Sequence, residues 1–167
     1  ELLFVVEREA DGREPLVRCI NFGLDGMQSF SFTLEEERSA VLVPAGQVGT
    51  YLYEPNASVL KAGAFKQIAV RTGVKKLQVN SHLYTSDHLV SDFPGRRFRV
   101  DEVLSFTGKL CKGLSKTIPQ ANITVRNFPL SVEELRKRTK ITDGGHVYLF
   151  ATTLVDGEKV LVKCSKA

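Results

Sequence analysis

The residues after Gly95 alternate strand-like and helix-like patterns, and this order restricts the possible folds more than any other feature of the chain. Residues 97–106 form the first strand region, and a helix is predicted from about residue 107 to residue 117. Residues 121–127 then alternate apolar and polar side chains, as half-buried strands do. Helices and strands in this order pack as layers, which favours an α+β fold.

The second helix and the strands after it have the clearest boundaries. Ser131 and Glu134 form a capping box, which is a strong signal for the first turn of a helix. Residues 147–154 and 159–164 flank Asp156-Gly157, a pair that favours a tight hairpin turn. The full order, β-α-β-α-β-β, predicts an α/β sandwich in which two helices cover one face of a four-stranded sheet. We expect the other face, or the rims of the helices, to be free for a ligand.

Residues 1–50 are rich in strand and turn signals. Asp11-Gly12 favours a turn, because glycine tolerates a positive φ and aspartate bonds its own backbone. Further along, phenylalanine and leucine alternate with serine and threonine at a period of two, as in a half-buried strand. We predict two β-hairpins in this segment: residues 2–6 with 16–22, and residues 30–34 with 40–43.

A different kind of sequence begins near Tyr51. Asn56 is a strong N-cap residue, and Gly73 is a typical residue for a helix end. Between them the apolar side chains fall on one stripe at helical spacing, which predicts a single core-facing helix. The stripe consists of Ala57, Leu60, Ala64 and Ile68. Residues 75–94 are polar and carry no pattern that assigns a structure.

Charge is divided unevenly along the chain. Residues 1–54 hold ten acids and four bases, whereas residues 55–167 hold nineteen bases and nine acids. A basic surface raises the local concentration of polyanions, so the division favours a nucleic-acid partner for the second part. The alternative is that the acidic segment packs against the basic one or against a neighbouring domain.

The two predicted helices carry their cations in different ways. Lysines spaced three and four residues apart share the outer face of the first helix: Lys109, Lys112 and Lys116. In the second helix, cations follow an acidic first turn, an order that the helix dipole also favours: Arg136, Lys137 and Arg138. Arginine can bind a phosphate with paired donors, which makes three strand residues further candidates. These are Arg97 and Arg99 in the first strand and Arg126 in the middle strand.

Motifs for catalysis and for metal binding are absent from the sequence. The chain lacks dinucleotide-binding and phosphate-binding glycine loops, the HExxH zinc motif and the GxSxG nucleophile motif. His82 and His88 are interpreted as solvated side chains of a polar connection, and no cysteine lies close enough in sequence to complete a metal site. The least favoured alternative is an independent enzyme that uses His88 and Asp87.

Three cysteines without a close pair argue against a disulfide framework and favour a reducing cytoplasm.

No stretch approaches the roughly 18 apolar residues that a membrane-spanning helix needs. The chain starts at Glu1, without methionine, and enters a strand-like run at once. We interpret it as a fragment of a longer protein.

Four runs of sequence resemble one family. They are YLYEPNASVLKAG from Tyr51, FPGRRFRV from Phe93, ANITVRNFPLSVEELRKRTKITDGG from Ala121 and YLFATTL from Tyr148. Together they are similar to the C-terminal half of bacterial class I SAM-dependent methyltransferases with a THUMP-like domain. The resemblance implies a ferredoxin-like segment over residues 51–94 and a THUMP-like domain over residues 95–167. Residues 1–50 would then be a β-rich acidic segment, which could form the end of an upstream catalytic domain.

The resemblance implies a function that agrees with the division of charge. In the family, SAM binds an upstream catalytic domain, and this chain contains neither its glycine-rich loop nor an NPPY-type tetrapeptide. THUMP domains help RNA-modifying enzymes to hold tRNA. We therefore predict a non-catalytic, RNA-binding part of a methyltransferase, without a cofactor or metal of its own. Its expected partners are a structured RNA such as tRNA and the catalytic domain in cis. The alternative is an interaction module that docks on its own catalytic domain or on another protein.

Overall fold

The structure is a computed structural model, and it describes residues 3–6, 12, 14–23 and 26–167. A two-stranded hairpin and a short helix come first: β1 (Leu16–Gly23), β2 (Gly26–Thr33) and α1 (Leu34–Ser39). The middle segment contains β3 (Tyr51–Pro55), α2 (Ala57–Ala62), α3 (Gln67–Thr72), β4 (Lys75–Lys76) and β5 (Tyr84–Ser86). The last segment contains β6 (Gly95–Ser105), α4 (Gly108–Thr117), β7 (Asn122–Arg126), α5 (Val132–Thr139), β8 (Tyr148–Thr153) and β9 (Lys159–Lys166).

The last segment confirms the predicted order of strand, helix, strand, helix, strand, strand. Its four strands join the strands of the middle segment in one sheet of order β4-β5-β3-β6-β9-β8-β7. The strands β7 and β8 pair in parallel, and the other pairs in this sheet are antiparallel. Because β3 pairs directly with β6, the two segments share a continuous backbone hydrogen-bond network.

Apolar clusters lie on both faces of the large sheet. The helices α4 and α5 pack through Leu114 and Leu135 onto one face, which presents Leu149 and Leu161. The opposite face carries Phe98, Phe150 and Val162, and residues from the middle segment, Leu77 and Leu83, cover them. The expectation that this face is free for a ligand was therefore wrong, because residues 75–83 fold across it.

Caps explain where α4 and α5 begin. The Thr107 hydroxyl accepts a hydrogen bond from the Leu110 amide at 3.1 Å. Ser131 Oγ accepts from the Glu134 amide at 3.2 Å, and the Glu134 carboxylate accepts from the Ser131 amide at 2.8 Å. The predicted capping box is thus confirmed, and each such cap typically contributes about 1 kcal/mol.

The single helix predicted from Asn56 to Gly73 is two helices. Gly63 ends α2 in the left-handed conformation with φ 77°, which glycine adopts without a Cβ clash, and α3 begins after a short turn. The Asn56 side chain makes no cap hydrogen bond. Its Nδ2 instead donates to Gln28 Oε1 at 2.7 Å.

The hairpins predicted in the first segment were wrong in detail. Residues 3–6 form no strand, Asp11 lies outside the described residues, and β1 pairs with β2 along its whole length. The second predicted hairpin is replaced by α1, because Thr33 and Glu36 form a capping box that starts a helix. The sequence prediction placed residues 30–34 in one strand and overlooked this S/T-x-x-E motif. The motif starts a helix at Leu34, although the apolar side chains up to that residue alternate as in a strand.

Candidate nucleic-acid interface

The helix α4 separates an apolar face from a cationic face. Its core side carries Cys111 and Leu114, with Ile118 at the C-cap, and all three are buried. The opposite side carries Lys109, Lys112 and Lys116, which are all exposed; we call these three residues the lysine stripe. Within the part of the chain that the structure describes, no carboxylate pairs with the lysine stripe.

Helix stability accounts for one residue of the lysine stripe, because Lys116 lies in the last turn of α4, where the helix dipole favours a cation. The N-terminus of a helix carries a partial positive charge, so cations in the first turn are unfavourable and acids are favoured. The first turn of α4 contains Lys109 and no acid. From Gly108 to Thr117 the sequence has three lysines and no acidic residue at all.

The helix α5 has a mixed outer face. Lys137 and Arg138 are exposed, but Glu133 and Glu134 occupy the first turn of the same helix. Hydrogen bonds to the Ser131 backbone and side chain lower the pKa of Glu134, and the charges of Arg138 and Lys137 lower it further. The acids of the first turn therefore offset part of this positive charge, although among the described residues no carboxylate forms a salt bridge with Lys137 or Arg138.

Arg138 also connects the two helices electrostatically. Burial raises the pKa of the Cys111 thiol on α4, and the charge of Arg138 opposes that rise. This effect is felt on the core side of α4, which is opposite the lysine stripe.

Four of the five arginines predicted to bind phosphate have partners inside the protein. Arg136 donates to the Ala121 carbonyl at 3.2 Å and to the Ile141 carbonyl at 3.3 Å, and it pairs with Asp143. Arg97 donates to the carbonyl of Ser91, and Arg99 lies 3.4 Å from the Asp101 carboxylate. Arg126 pairs with Glu54.

Glu54 is the centre of an ion-pair cluster that joins the two halves of the large sheet. Its residue is 4% exposed, and each of its carboxylate oxygens accepts from a different arginine. Arg126 Nη2 donates to Oε1 at 2.8 Å, and Arg96 Nε donates to Oε2 at 2.8 Å. Beside it, Asn127 Nδ2 donates to Gln78 Oε1 at 3.0 Å. We call Glu54, Arg96 and Arg126 the junction cluster.

Sequence reasoning missed the junction cluster. In the sequence, Glu54 was only one of the ten acids of residues 1–54. In the structure it lies in the strand YLYEP among buried neighbours. An acid in a strand that is otherwise apolar is rarely buried without a cationic partner. That signal was present in the sequence, but the identity of the partners depends on how the sheet folds.

The sequence also gave no indication that Lys76 is buried. It is 2% exposed, and its Nζ donates to the Val79 carbonyl at 2.6 Å and lies 3.2 Å from His82 Nδ1. Burial lowers the pKa of Lys76 to about 8, against the smaller opposite effect of Glu37. This lysine is enclosed, so it belongs to the core and not to the basic surface.

The histidines lie in different environments. The prediction that His82 is solvated was wrong: its ring is half-buried and stacks on Phe65 with 4.0 Å between centroids. Burial lowers the pKa of His82, and the charges of Lys76 and Arg126 lower it further. His88 is exposed, as is Asp87. Among the described residues, no three histidine, cysteine or acidic side chains lie together as a metal site would require.

Two shallow clefts lie at the ends of the strands. One, of about 520 Å³, lies beside α4 and is lined by Ser105, Thr107, Lys109, Leu110, Gly113, Leu114 and Thr117. The other, of about 460 Å³, is lined by Val125, Asn127, Phe128, Pro129, Thr153 and Lys159. SAM presents a sulfonium cation and ribose hydroxyls, which carboxylates bind best, and neither lining set contains a carboxylate. The residues around these clefts do not fit SAM.

Among the described residues, no helix is both long enough and apolar enough to cross a membrane. The cysteines Cys19, Cys111 and Cys164 are buried thiols.

Comparison with known families and structures agrees with the division of the large sheet. Residues 51–94 match a ferredoxin-like domain, and residues 95–166 match a THUMP domain-like family. The chain therefore contains a ferredoxin-like domain followed by a THUMP-like domain. No curated protein matches the chain significantly.

A similar solved structure is the crystal structure of a proposed methyltransferase from Porphyromonas gingivalis W83. The two proteins are 48% identical over 91% of this chain, with a TM-score of 0.87. The chain spans only 38% of the length of that protein.

Proposed function

We propose that the chain is the RNA-binding, non-catalytic part of a SAM-dependent methyltransferase of the cytoplasm. In this proposal the lysine stripe binds backbone phosphates of a structured RNA such as tRNA. The SAM-binding catalytic domain belongs to the same polypeptide and modifies the RNA that this part holds. The THUMP-like domain and the similarity to a proposed methyltransferase support the two halves of this assignment.

The lysine stripe is the observation that carries the proposal. Its three ammonium groups are exposed, lie on one face and have no carboxylate partner among the described residues. Lys109 and Lys116 are seven residues apart, which is about 10 Å along an α-helix. A row of point charges of that length suits successive phosphates better than a base edge, and lysine contacts of this kind depend on shape more than on sequence.

The other cations divide into two groups in this proposal. Lys137 and Arg138 are exposed next to α4 and extend the phosphate-binding surface. Arg126 and Arg136, with Arg97 and Arg99, hold the sheet and the loops in place through the partners described above. The junction cluster in particular fixes the THUMP-like domain relative to the ferredoxin-like domain, because Glu54 belongs to the latter and both arginines belong to the former.

Binding measured against salt concentration tests the proposal directly. Each phosphate that is neutralised contributes a slope of about −0.7 to −0.9 in log K against log salt, so three contacts predict about −2 to −3. Fluorescence anisotropy with labelled tRNA would measure the slope, with an unstructured RNA and a DNA duplex of equal length as competitors. We expect steep salt dependence and preference for the structured RNA.

A different result would favour the alternative function. If no RNA binds, or if affinity does not change with salt, the basic face does not bind phosphates. The face would then belong to an interaction module that docks on an acidic protein surface, and affinity would depend on the identity of that protein.

A further inference from the structure

The hairpin formed by β1 and β2 has one apolar face and one face on which apolar and polar side chains are mixed. Its inner face presents Cys19, Phe30 and Phe32, which are buried in a cluster with Val59 and Ile68 of α2 and α3. This face attaches the hairpin to the ferredoxin-like domain. In a ribbon with one solvated face, the opposite side chains would be polar.

The outer face of the hairpin follows that rule only at Arg18, Ser29 and Ser31. Leu16, Ile20, Phe22 and Met27 are 58%, 43%, 81% and 62% exposed. Phe22 and Met27 stand directly opposite each other in the register, so they form one contiguous patch. Nothing in the part of the chain that the structure describes covers this face. We call these four side chains the outer patch.

Residues 3–6 also expose apolar side chains, and to a greater extent than the outer patch does. Leu3, Phe4, Val5 and Val6 are four consecutive apolar residues, and they are 78% to 89% exposed. A run of this kind without alternation is typical of a strand that is buried on both faces, as in the sheets of α/β domains. The fold described here buries neither side of it.

We propose that the outer patch and residues 3–6 form the interface with the catalytic domain of the same polypeptide. The proposal rests on the function proposed above, which assigns such a domain to the full-length protein. The similar protein from P. gingivalis indicates what could cover this surface, because most of its length lies beyond the 38% that this chain spans. The match covers 91% of the chain and so extends into the first 50 residues, beyond the two matched domains.

Met27 makes the interface measurable, because it is the one methionine of the sequence and lies in the outer patch. The test compares the 167-residue chain with a chimaera in which this chain replaces its counterpart in the P. gingivalis protein. Both are treated with dilute peroxide without RNA, and mass spectrometry follows the oxidation of Met27. We expect oxidation in the chimaera to be about tenfold slower or more, since the thioether must be uncovered by a local opening.

A substitution in the patch adds a second readout. Phe22→Ser should restore fast oxidation of Met27 in the chimaera and leave the rate in the chain alone unchanged. Equal rates in the chimaera and the chain would overturn the proposal. Slow oxidation of the chain alone, together with a dimer mass by sedimentation, would also overturn it and assign the patch to a second copy.

Failure of the RNA assignment would be recognised separately. The oxidation assay contains no RNA, and replacing the lysine stripe by glutamine should not alter Met27 protection. Loss of RNA binding with intact protection would overturn only the function proposed for α4, whereas loss of protection with intact RNA binding would overturn only this interface.

Discussion

The junction cluster and the lysine stripe are both basic, but they differ in what surrounds each charge. Arg96 and Arg126 share one buried carboxylate, so their charges are used within the fold. The lysines of α4 have exposed ammonium groups and no such partner among the described residues. Both arginines are also partly exposed, with 53% and 40% of their side chains accessible. Exposure alone therefore does not identify a binding residue, and the presence of an internal partner is the better criterion.

The comparison predicts that removing both arginines of the junction cluster has the largest effect on stability. Arg96→Gln with Arg126→Gln leaves the Glu54 carboxylate buried without a counter-charge, which should cost about 3 to 5 kcal/mol. Either single substitution leaves Glu54 one arginine and should cost about 1 to 2 kcal/mol. Urea denaturation of the four proteins would measure the coupling.

The control for this series is Glu102→Gln, an exposed acid on β6. It should change the free energy of unfolding by less than about 0.5 kcal/mol. Additive losses from the two arginines would show that Glu54 does not hold them as one unit. The single variant Arg126→Gln should also bind RNA like the parent chain, and a clear loss of affinity would move Arg126 from the structural group to the binding group.

Lys76 extends the comparison to a buried cation. Its described hydrogen-bond partners are a carbonyl and a histidine ring, and its ammonium group also lies over the rings of Phe65 and Tyr84. Burial lowers its pKa from 10.5 to about 8, so between these values the unfolded chain holds a proton that the folded chain has lost. Stability should therefore rise with pH in that window, by about 1.5 kcal/mol from pH 8 to pH 9.5. Denaturation at several pH values, with Lys76→Met as the variant that cannot titrate, would isolate this contribution.

If the parent chain and Lys76→Met show the same pH dependence from pH 8 to pH 9.5, Lys76 keeps an ordinary pKa and is more solvated than the structure indicates.

Removing the cap of α5 should have the smallest effect on stability, because a cap contributes one hydrogen bond at the surface. Ser131→Ala removes the acceptor of the Glu134 amide and should cost about 0.5 to 2 kcal/mol. Ser29→Ala, on the exposed side of β2, is the matched control and should be neutral within about 0.5 kcal/mol. Thermal melts that do not separate the two variants would contradict the cap assignment.

Local signals in the sequence predicted the C-terminal half of the fold. The capping box at Ser131 and Glu134 and the turn at Asp156-Gly157 act within a few residues, so they define elements without knowledge of the rest of the chain. The lysine stripe was predictable for the same reason, since spacing on one helix depends only on that helix. Gly63 shows the limit, because an apolar stripe continues through a position where the helix ends.

Long-range contacts could not be predicted in this way. The partner of Arg126 lies 72 residues away in the chain, and the sheet must bend before Glu54 meets it. The same holds for Leu77 and Leu83, which cover a sheet face that the sequence left free. Each of these contacts depends on how the ferredoxin-like domain and the THUMP-like domain join, and no local pattern encodes that arrangement.

The measurement that tests the central claim most directly compares two triple variants in tRNA binding. The first replaces the lysine stripe, Lys109→Gln, Lys112→Gln and Lys116→Gln, and the second replaces three exposed lysines outside α4 and α5, Lys61→Gln, Lys75→Gln and Lys166→Gln. Both remove three charges, so the net charge of the protein is matched. We predict that the first weakens binding and flattens the slope of log K against log salt by about two to three, whereas the second leaves the slope within about one of the parent value. Equal slopes in the two variants would contradict the assignment of α4 as the RNA-binding face.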